Sequence, residues 1–150
     1  IFKQSKMKIL FVCLGNICRS PLAEGILRHI NPDIMVDSAG TSNYYIGSPP
    51  DRRMIETAQS YGIDISNLAA RQFTTEDFNR FDKIFIMDDE NYRNIVALAE
   101  NESHIQKVYY TLSKQNNVPD PYFGGKDSFI QVYEMLHEAC QTINDEIQER

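Results

Sequence analysis

The chain has 150 residues and a formal net charge of −6, with 15 Lys and Arg against 21 Asp and Glu. That length suits one domain, able to bury about 70% of its unfolded surface without a disulfide or a metal. The acidic residues are scattered and no basic stripe is present, which argues against a nucleic-acid partner, although an acidic chain can still build a locally positive anion site. Three cysteines do not make a secreted disulfide framework. The longest apolar run, Ile9 to Leu14, is too short to span a membrane and is followed by no small-residue cleavage site. The expected compartment is a reducing cytoplasm.

In chain order, Ile1 to Lys6 is polar and reads as a leader, with Met7 as the natural start of a domain covering 7–150. Lys8 to Val12 is a continuous run of strand formers, as in a strand buried on both faces. After Cys13-Leu14-Gly15-Asn16-Ile17-Cys18-Arg19, Ser20 suits an N-cap and Pro21 a first helical position. Leu22, Ala23, Ile26, Leu27 and Ile30 keep helical spacing until Asn31-Pro32. Met35 to Ala39 is a second strand, and Gly40 to Pro50 a turn-rich loop carrying Tyr44 and Tyr45. A helix is predicted from Asp51 to Tyr61, ended by Gly62, and a short one from Thr74 to Phe78, with Thr74 as cap. Lys83 to Met87 is a third strand, followed by a helix from Asp89 to Ala99, and Lys107 to Tyr110 a fourth strand. Asn116 to Gly125 is a loop rich in Pro, Gly and Asp. Phe129, Val132, Tyr133, Leu136, Cys140, Ile143 and Ile147 mark an amphipathic last helix. Alternating strands and helices predict an α/β single domain: a mostly parallel four-stranded sheet with helices on both faces. Ligands then sit beyond the carboxyl ends of the strands, where Cys13, Asp88 and the loop around Asp120 can converge.

A loop between a strand and a helix N-terminus can turn successive amides inward around an anion. Here those amides belong to Leu14, Gly15, Asn16, Ile17, Cys18 and Arg19, and Gly15 and Asn16 tolerate left-handed backbone angles. The loop has no Gly-Lys-Ser ending, which excludes a Walker nucleotide site. Its ends carry Cys13 and Arg19 instead. The helix terminus, the converging amides and Arg19 favour the thiolate, the nucleophilic form of Cys13. The Arg19 fork can bind two phosphoryl oxygens at once. Ser20 can donate toward the sulfur. In Val118-Pro119-Asp120-Pro121-Tyr122, Asp120 is a carboxylic acid on a stiffened loop, suited to protonating a leaving oxygen, and Tyr122 and Phe123 can stack on an aromatic ring. Cys140 reads as a core residue on its helix face. Asp88 reads equally as a support of the site or as a cap of the next helix. His29, His104 and His137 lack metal-ligand spacing, and no metal or organic cofactor is implied.

The run Val12-Cys13-Leu14-Gly15-Asn16-Ile17-Cys18-Arg19-Ser20-Pro21 resembles the signature of low-molecular-weight protein tyrosine phosphatases. Asp120-Pro121-Tyr122-Phe123 resembles their second motif. Asp37 to Ser42, Ala70-Arg71-Gln72, Phe81-Asp82 and Met87-Asp88 fall in the family's order, so the resemblance covers nearly the whole chain from Met7. It implies a Rossmann-like fold of the phosphotyrosine phosphatase I type that acts on phosphotyrosine proteins or aryl phosphates through a phosphocysteine. In this resemblance Cys13 is the nucleophile, Arg19 the phosphate-binding arginine and Asp120 the general acid, later the base. Asn16 holds the loop's shape, with Ser20 and Ser38 as partners. Ile17, Tyr44, Tyr122 and Phe123 line the substrate cleft, and Cys18 is the second loop cysteine, able to form a reversible disulfide with Cys13. Two positions depart from the pattern: Phe123 replaces a frequent second tyrosine, and Leu68 stands where several relatives carry a histidine. The motifs specify no oligomeric state and no membrane partner.

Three other functions compete. An arginine phosphatase of the same fold carries threonine where this chain has Ile17, whose apolar wall suits a tyrosine ring better. A thioredoxin-coupled arsenate reductase needs resolving cysteines downstream, where this sequence offers only Cys140. An inactive phosphotyrosine-binding or redox-sensing module would have lost the nucleophile, arginine or acid, and all three are present.

Overall fold

The computed structural model describes residues 6–148. Four strands, β1 (Lys8–Cys13), β2 (Met35–Gly40), β3 (Lys83–Ile86) and β4 (Val108–Tyr110), form one sheet in the order β2-β1-β3-β4. Every pairing is parallel, with Phe11 beside Ser38 on one side and Phe85 on the other. The helices are α1 (Arg19–Ile30), α2 (Arg52–Ser60), α3 (Asp77–Arg80), α4 (Asp89–Val96), α5 (Glu102–Ile105) and α6 (Lys126–Gln148). The expected α/β architecture is present, and its sheet is parallel throughout.

The unbroken apolar character of β1 follows from burial on both sides. Ile9, Phe11 and Cys13 pack with Leu22 of α1, Met54 of α2 and Leu136 of α6, whereas Leu10 and Val12 pack with Phe78 of α3 and Ile95 of α4. Because β2 and β3 flank β1 on opposite sides, the chain reverses its winding direction at β1. The carboxyl ends of β1 and β3 therefore frame a crevice at the topological switch point. Cys140 lies fully buried on α6 with its thiol directed at the Ala23 carbonyl, and burial pushes that thiol's pKa up.

Several boundaries differ from expectation. Strands β1 and β2 run one residue further, to Cys13 and Gly40, while β3 stops at Ile86 and β4 starts at Val108. Helix α1 starts at Arg19, before Ser20, and Cys18 at its cap makes no side-chain cap bond. The Ser20 hydroxyl is engaged elsewhere, and Pro21 still lies in the first turn, where its missing N–H costs nothing. The predicted Thr74 helix is displaced to Asp77–Arg80, and the Asp77 carboxylate takes the Thr74 N–H instead of Thr74 capping the turn. Asp51 caps α2 as a side-chain acceptor, and Gly62 closes that segment at φ +81°. Helix α4 ends at Val96, and α5, capped by Asn101, is an additional element. Helix α6 starts three residues before Phe129, at Lys126. The proposed leader, Ile1 to Lys6, lies outside the described residues except for Lys6.

Candidate active site

The segment from Leu14 to Cys18 bridges the end of β1 and the start of α1. No hydrogen bond among the described residues takes up the amides of Leu14, Gly15, Asn16, Ile17 or Cys18, whereas the carbonyls of Cys13, Leu14 and Ile17 accept from Thr41, Ser42 and Asp51. The outer side of the loop is thus tied down and its donors are left for an anion. Of the two residues that tolerate left-handed angles, Asn16 adopts one, at φ 57°. Gly15 is needed for space instead, since a Cβ there would stand 2.9 Å from the Tyr45 ring.

Beneath the loop a buried network fixes Asn16. Its Oδ1 accepts from the Arg71 N–H at 3.0 Å, and a backbone N–H can only donate, so the amide orientation is unambiguous. Its Nδ2 therefore donates to Ser20 Oγ at 2.8 Å and Ser38 Oγ at 3.0 Å. Ser38 in turn donates to Glu24 Oε1 at 2.6 Å, and Arg28 donates to the other oxygen of Glu24. Glu24 is 3% exposed; burial raises its pKa, and the bonds from Ser38 and Arg28 partly oppose the rise. Ser20 Oγ, already accepting from Asn16, lies 3.0 Å from Cys13 Sγ, a contact in which either atom can donate, and its hydroxyl is also within reach of the Ala39 carbonyl at 3.4 Å. Cys13 and Cys18 are both buried free thiols, and burial pushes the Cys18 pKa up, with Asp51 and Cys13 adding to it.

Arg19, 3% exposed, enters from the first turn of α1. One terminal nitrogen donates to Asp88 Oδ2 at 2.7 Å and to the Val118 carbonyl at 3.0 Å. The other lies 3.8 Å from Asp120 Oδ2. Burial alone would lower the Arg19 pKa, but the charge facing it at Cys13 and the bond to Asp88 hold it above its usual value. Asp88 fills both roles the sequence left open: its Oδ1 caps α4 by accepting from the Asn91 N–H at 2.8 Å, and its Oδ2 holds Arg19. Asp120 is about two-fifths exposed, and its Oδ1 accepts from the Tyr122 N–H at 3.1 Å.

These residues surround a cleft of about 320 Å³. Cys13, Leu14, Gly15, Ile17, Cys18 and Arg19 form its floor, and Ser42, Tyr44, Tyr45, Asp120, Tyr122 and Phe123 its sides. Every expected cleft residue lines it, while Asn16, Ser20 and Ser38 support the floor from below. Tyr44 and Phe123 are 80% and 96% exposed and stand at the rim. Tyr45, not singled out from the sequence, packs on Gly15, and its hydroxyl pKa is pushed up to about 12, first by hydrogen bonding to Tyr122. Glu24, Gly40 and Arg53 are further missed contributors. The sequence offered only a helical position for Glu24 and Arg53, and a strand-end glycine for Gly40.

Gly40 admits the loop against its bare Cα. A Cβ would stand 2.8 Å from the Leu14 carbonyl oxygen and 3.1 Å from the Asn16 nitrogen, so backbone must shift. Gly40→Ala is expected to destabilise by about 1–3 kcal/mol. It is also expected to lower kcat/KM for aryl phosphates about 100-fold, the cost of displacing reacting groups by about 1 Å. Thermal unfolding and steady-state kinetics on one preparation check both; unchanged kinetics would show that the loop does not depend on this contact.

The family model described as "Low molecular weight phosphotyrosine protein phosphatase" matches residues 8–150. A Synechocystis sp. relative of the low molecular weight protein-tyrosine-phosphatase type is 46% identical over 145 residues, 89% of this chain and 92% of its own. The low molecular weight phosphotyrosine protein phosphatase of Homo sapiens is 39% identical over 150 residues, covering 93% of this chain and 94% of its own. The solved structure of Vibrio vulnificus Wzb in complex with benzylphosphonate superposes with a TM-score of 0.88 at 32% identity, over 95% of this chain and 99% of that one. With the family model matched over residues 8–150 and relatives of this kind 46% and 39% identical along nearly the whole chain, the chain belongs to the low molecular weight phosphotyrosine protein phosphatase family and is a phosphatase of that kind.

Proposed function

We propose that the chain hydrolyses phosphotyrosine in proteins, and aryl phosphate monoesters, through a phosphocysteine on Cys13. The observation that carries the reading is the buried Cys13 sulfur, 3.0 Å from the Ser20 hydroxyl at the floor of a cleft where no described residue takes up the loop amides and where Arg19 stands beside it. In the first step the Cys13 thiolate attacks phosphorus; the S–P bond forms, the P–O bond to the aryl group breaks, and Asp120 gives its proton to the departing oxygen. In the second, Asp120 takes a proton from a water that attacks phosphorus; the new O–P bond forms, the P–S bond breaks, and the sulfur leaves as a thiolate toward the Ser20 hydroxyl. The products are the phenol and inorganic phosphate, and water is the only co-reactant.

Arg19 and the loop amides bear the charge of the three equatorial oxygens. Ile17 and the aromatic sides of the cleft suit a flat ring, and the Wzb structure named above holds benzylphosphonate, a phosphonate with an aromatic ring. The same apolar lining favours phosphotyrosine over phosphoarginine. We also assign the action to a reducing cytoplasm, which suits three unpaired thiols; no helix among the described residues is long and apolar enough to cross a membrane.

Alcohol trapping tests the covalent route. With a simple alcohol present, aryl phosphates that differ in leaving group are expected to give one constant ratio of alkyl phosphate to inorganic phosphate, set by a common phosphoenzyme. A ratio that varies with the leaving group sinks the phosphocysteine. Faster turnover of phosphoarginine than of phosphotyrosine sinks the substrate assignment.

A further inference from the structure

The loop that carries Asp120 has few attachments of its own. Val118 is fixed at its start, donating to the Met87 carbonyl at 2.7 Å and accepting from Arg19. Beyond Pro119, the backbone carbonyls of Tyr122 and Gly124 accept hydrogen bonds from one side chain outside the loop, that of Arg53, at 2.9 and 3.5 Å. Arg53 stands in the first turn of α2. Its guanidinium also grips both oxygens of Asp51, at 3.1 and 2.9 Å, and lies 5.4 Å from the Tyr122 ring centroid and 4.6 Å from that of Phe129. Asp51 in turn donates its N–H to the Ile17 carbonyl of the phosphate loop at 2.7 Å.

A continuous path therefore runs from the phosphate loop through Asp51 and Arg53 to the Tyr122 peptide. On the other side of the Tyr122 Cα, the Tyr122 N–H donates to Asp120 Oδ1 at 3.1 Å. The planar fork of an arginine can satisfy a carboxylate and a carbonyl together while its face covers two rings. We infer that Arg53 is a positioning residue for proton delivery, a strut that sets Asp120 at a fixed height over the phosphate loop without contacting the phosphoryl group. The inference rests on the reading of Asp120 as the general acid.

A general acid contributes most when the leaving group is a poor one, so misplacing it penalises poor leaving groups selectively. The test compares kcat/KM, which reports the steps up to P–O cleavage, for phenyl phosphate and for 4-nitrophenyl phosphate. Asp120→Asn is expected to slow phenyl phosphate far more than 4-nitrophenyl phosphate. Arg53→Gln is expected to do the same more mildly, lowering the phenyl phosphate value about 10- to 100-fold and leaving the 4-nitrophenyl value and the inhibition constant of inorganic phosphate nearly unchanged. Arg53→Lys, which keeps the cation over the rings, is expected to recover part of the loss. In the Asp120→Asn background, Arg53→Gln is expected to add almost nothing.

Equal losses on both substrates, a weakened inhibition by phosphate, or full additivity with Asp120→Asn would overturn the strut. If Asp120→Asn shows selectivity and neither Arg53 variant does, the strut alone falls. If Asp120→Asn shows no selectivity, the general-acid reading falls and takes the strut with it.

Discussion

Cys13→Ser is expected to lower kcat for a phosphotyrosine peptide on the order of 10⁵-fold or more, the scale of loss when a covalent nucleophile is removed, while the peptide still binds. The expectation comes from what the site can and cannot ionise. Sγ of Cys13 lies at the end of β1, 2% exposed, with Ser20 Oγ 3.0 Å away and the free amides of the loop around it. Those dipoles and the Arg19 guanidinium face the position that the attacking sulfur occupies. A serine hydroxyl ionises far less readily, and the site holds no imidazole partner to take its proton. The near-isosteric change leaves the loop and Arg19 in place, so affinity for the phosphoryl dianion persists. The measurement pairs steady-state turnover with equilibrium binding of the phosphopeptide to the variant. Residual turnover within about 100-fold of the wild type would mean that a group other than Cys13 attacks phosphorus, since the loop and Arg19 then supply the acceleration by electrostatics alone. Loss of binding together with turnover would show a collapsed loop, and the kinetic loss would say nothing about the nucleophile.

The parts of this site that were legible in the sequence are local. Cys13, Arg19 and Ser20 fall within one strand–loop–helix junction, where spacing alone brings them together, and the run of β1 announces burial on both faces. Asp120 needed the second motif, because an Asp-Pro pair by itself marks only a turn. What escaped are partners distant in sequence. Asp88 meets Arg19 across 69 positions, and Arg53 meets Tyr122 across the same number; no periodicity encodes either pair. Glu24 carried no signal beyond a helical position, yet it is buried and accepts from Ser38 because α1 turns that face to the sheet. Ser20 was misassigned for a related reason. It has the composition of an N-cap, but the tertiary demand of Asn16 and Cys13 on its hydroxyl outweighs the local preference, and the cap falls two residues earlier, at Cys18. Gly15 and Gly40 show the same limit: the sequence marks both as glycines, but only the fold shows that one makes room for the Tyr45 ring and the other for the loop backbone.

Arg19→Lys is expected to lower kcat/KM about 10³-fold or more despite keeping the charge, within the range attributed to an arginine that stabilises a phosphoryl-transfer transition state. The argument rests on how the guanidinium is divided. One terminal nitrogen is committed to the frame, donating to Asp88 Oδ2 and the Val118 carbonyl. That leaves Nε and the other terminal nitrogen, whose nearest acid is Asp120 Oδ2 at 3.8 Å, to face two phosphoryl oxygens in parallel. A lysine has one nitrogen for both tasks. If it stays with Asp88 it withdraws from the phosphoryl group; if it follows the phosphoryl group, Asp88 loses its ion partner and the Val118 carbonyl loses a buried donor, at a cost of about 1–3 kcal/mol. The missing bidentate contact matters most as charge spreads over the equatorial oxygens, so kcat falls along with kcat/KM, and inhibition by inorganic phosphate weakens less than catalysis does. The discriminating comparison is Asp88→Asn, which keeps an acceptor for Arg19 and leaves the fork directed at the cleft. It is expected to be the milder variant by at least about tenfold, within the gap between a charged and a neutral hydrogen-bond partner. Should Arg19→Lys retain wild-type kcat with only a raised KM, Arg19 would be a uniform binder of ground state and transition state alike, and the loop amides alone would carry the transition-state charge.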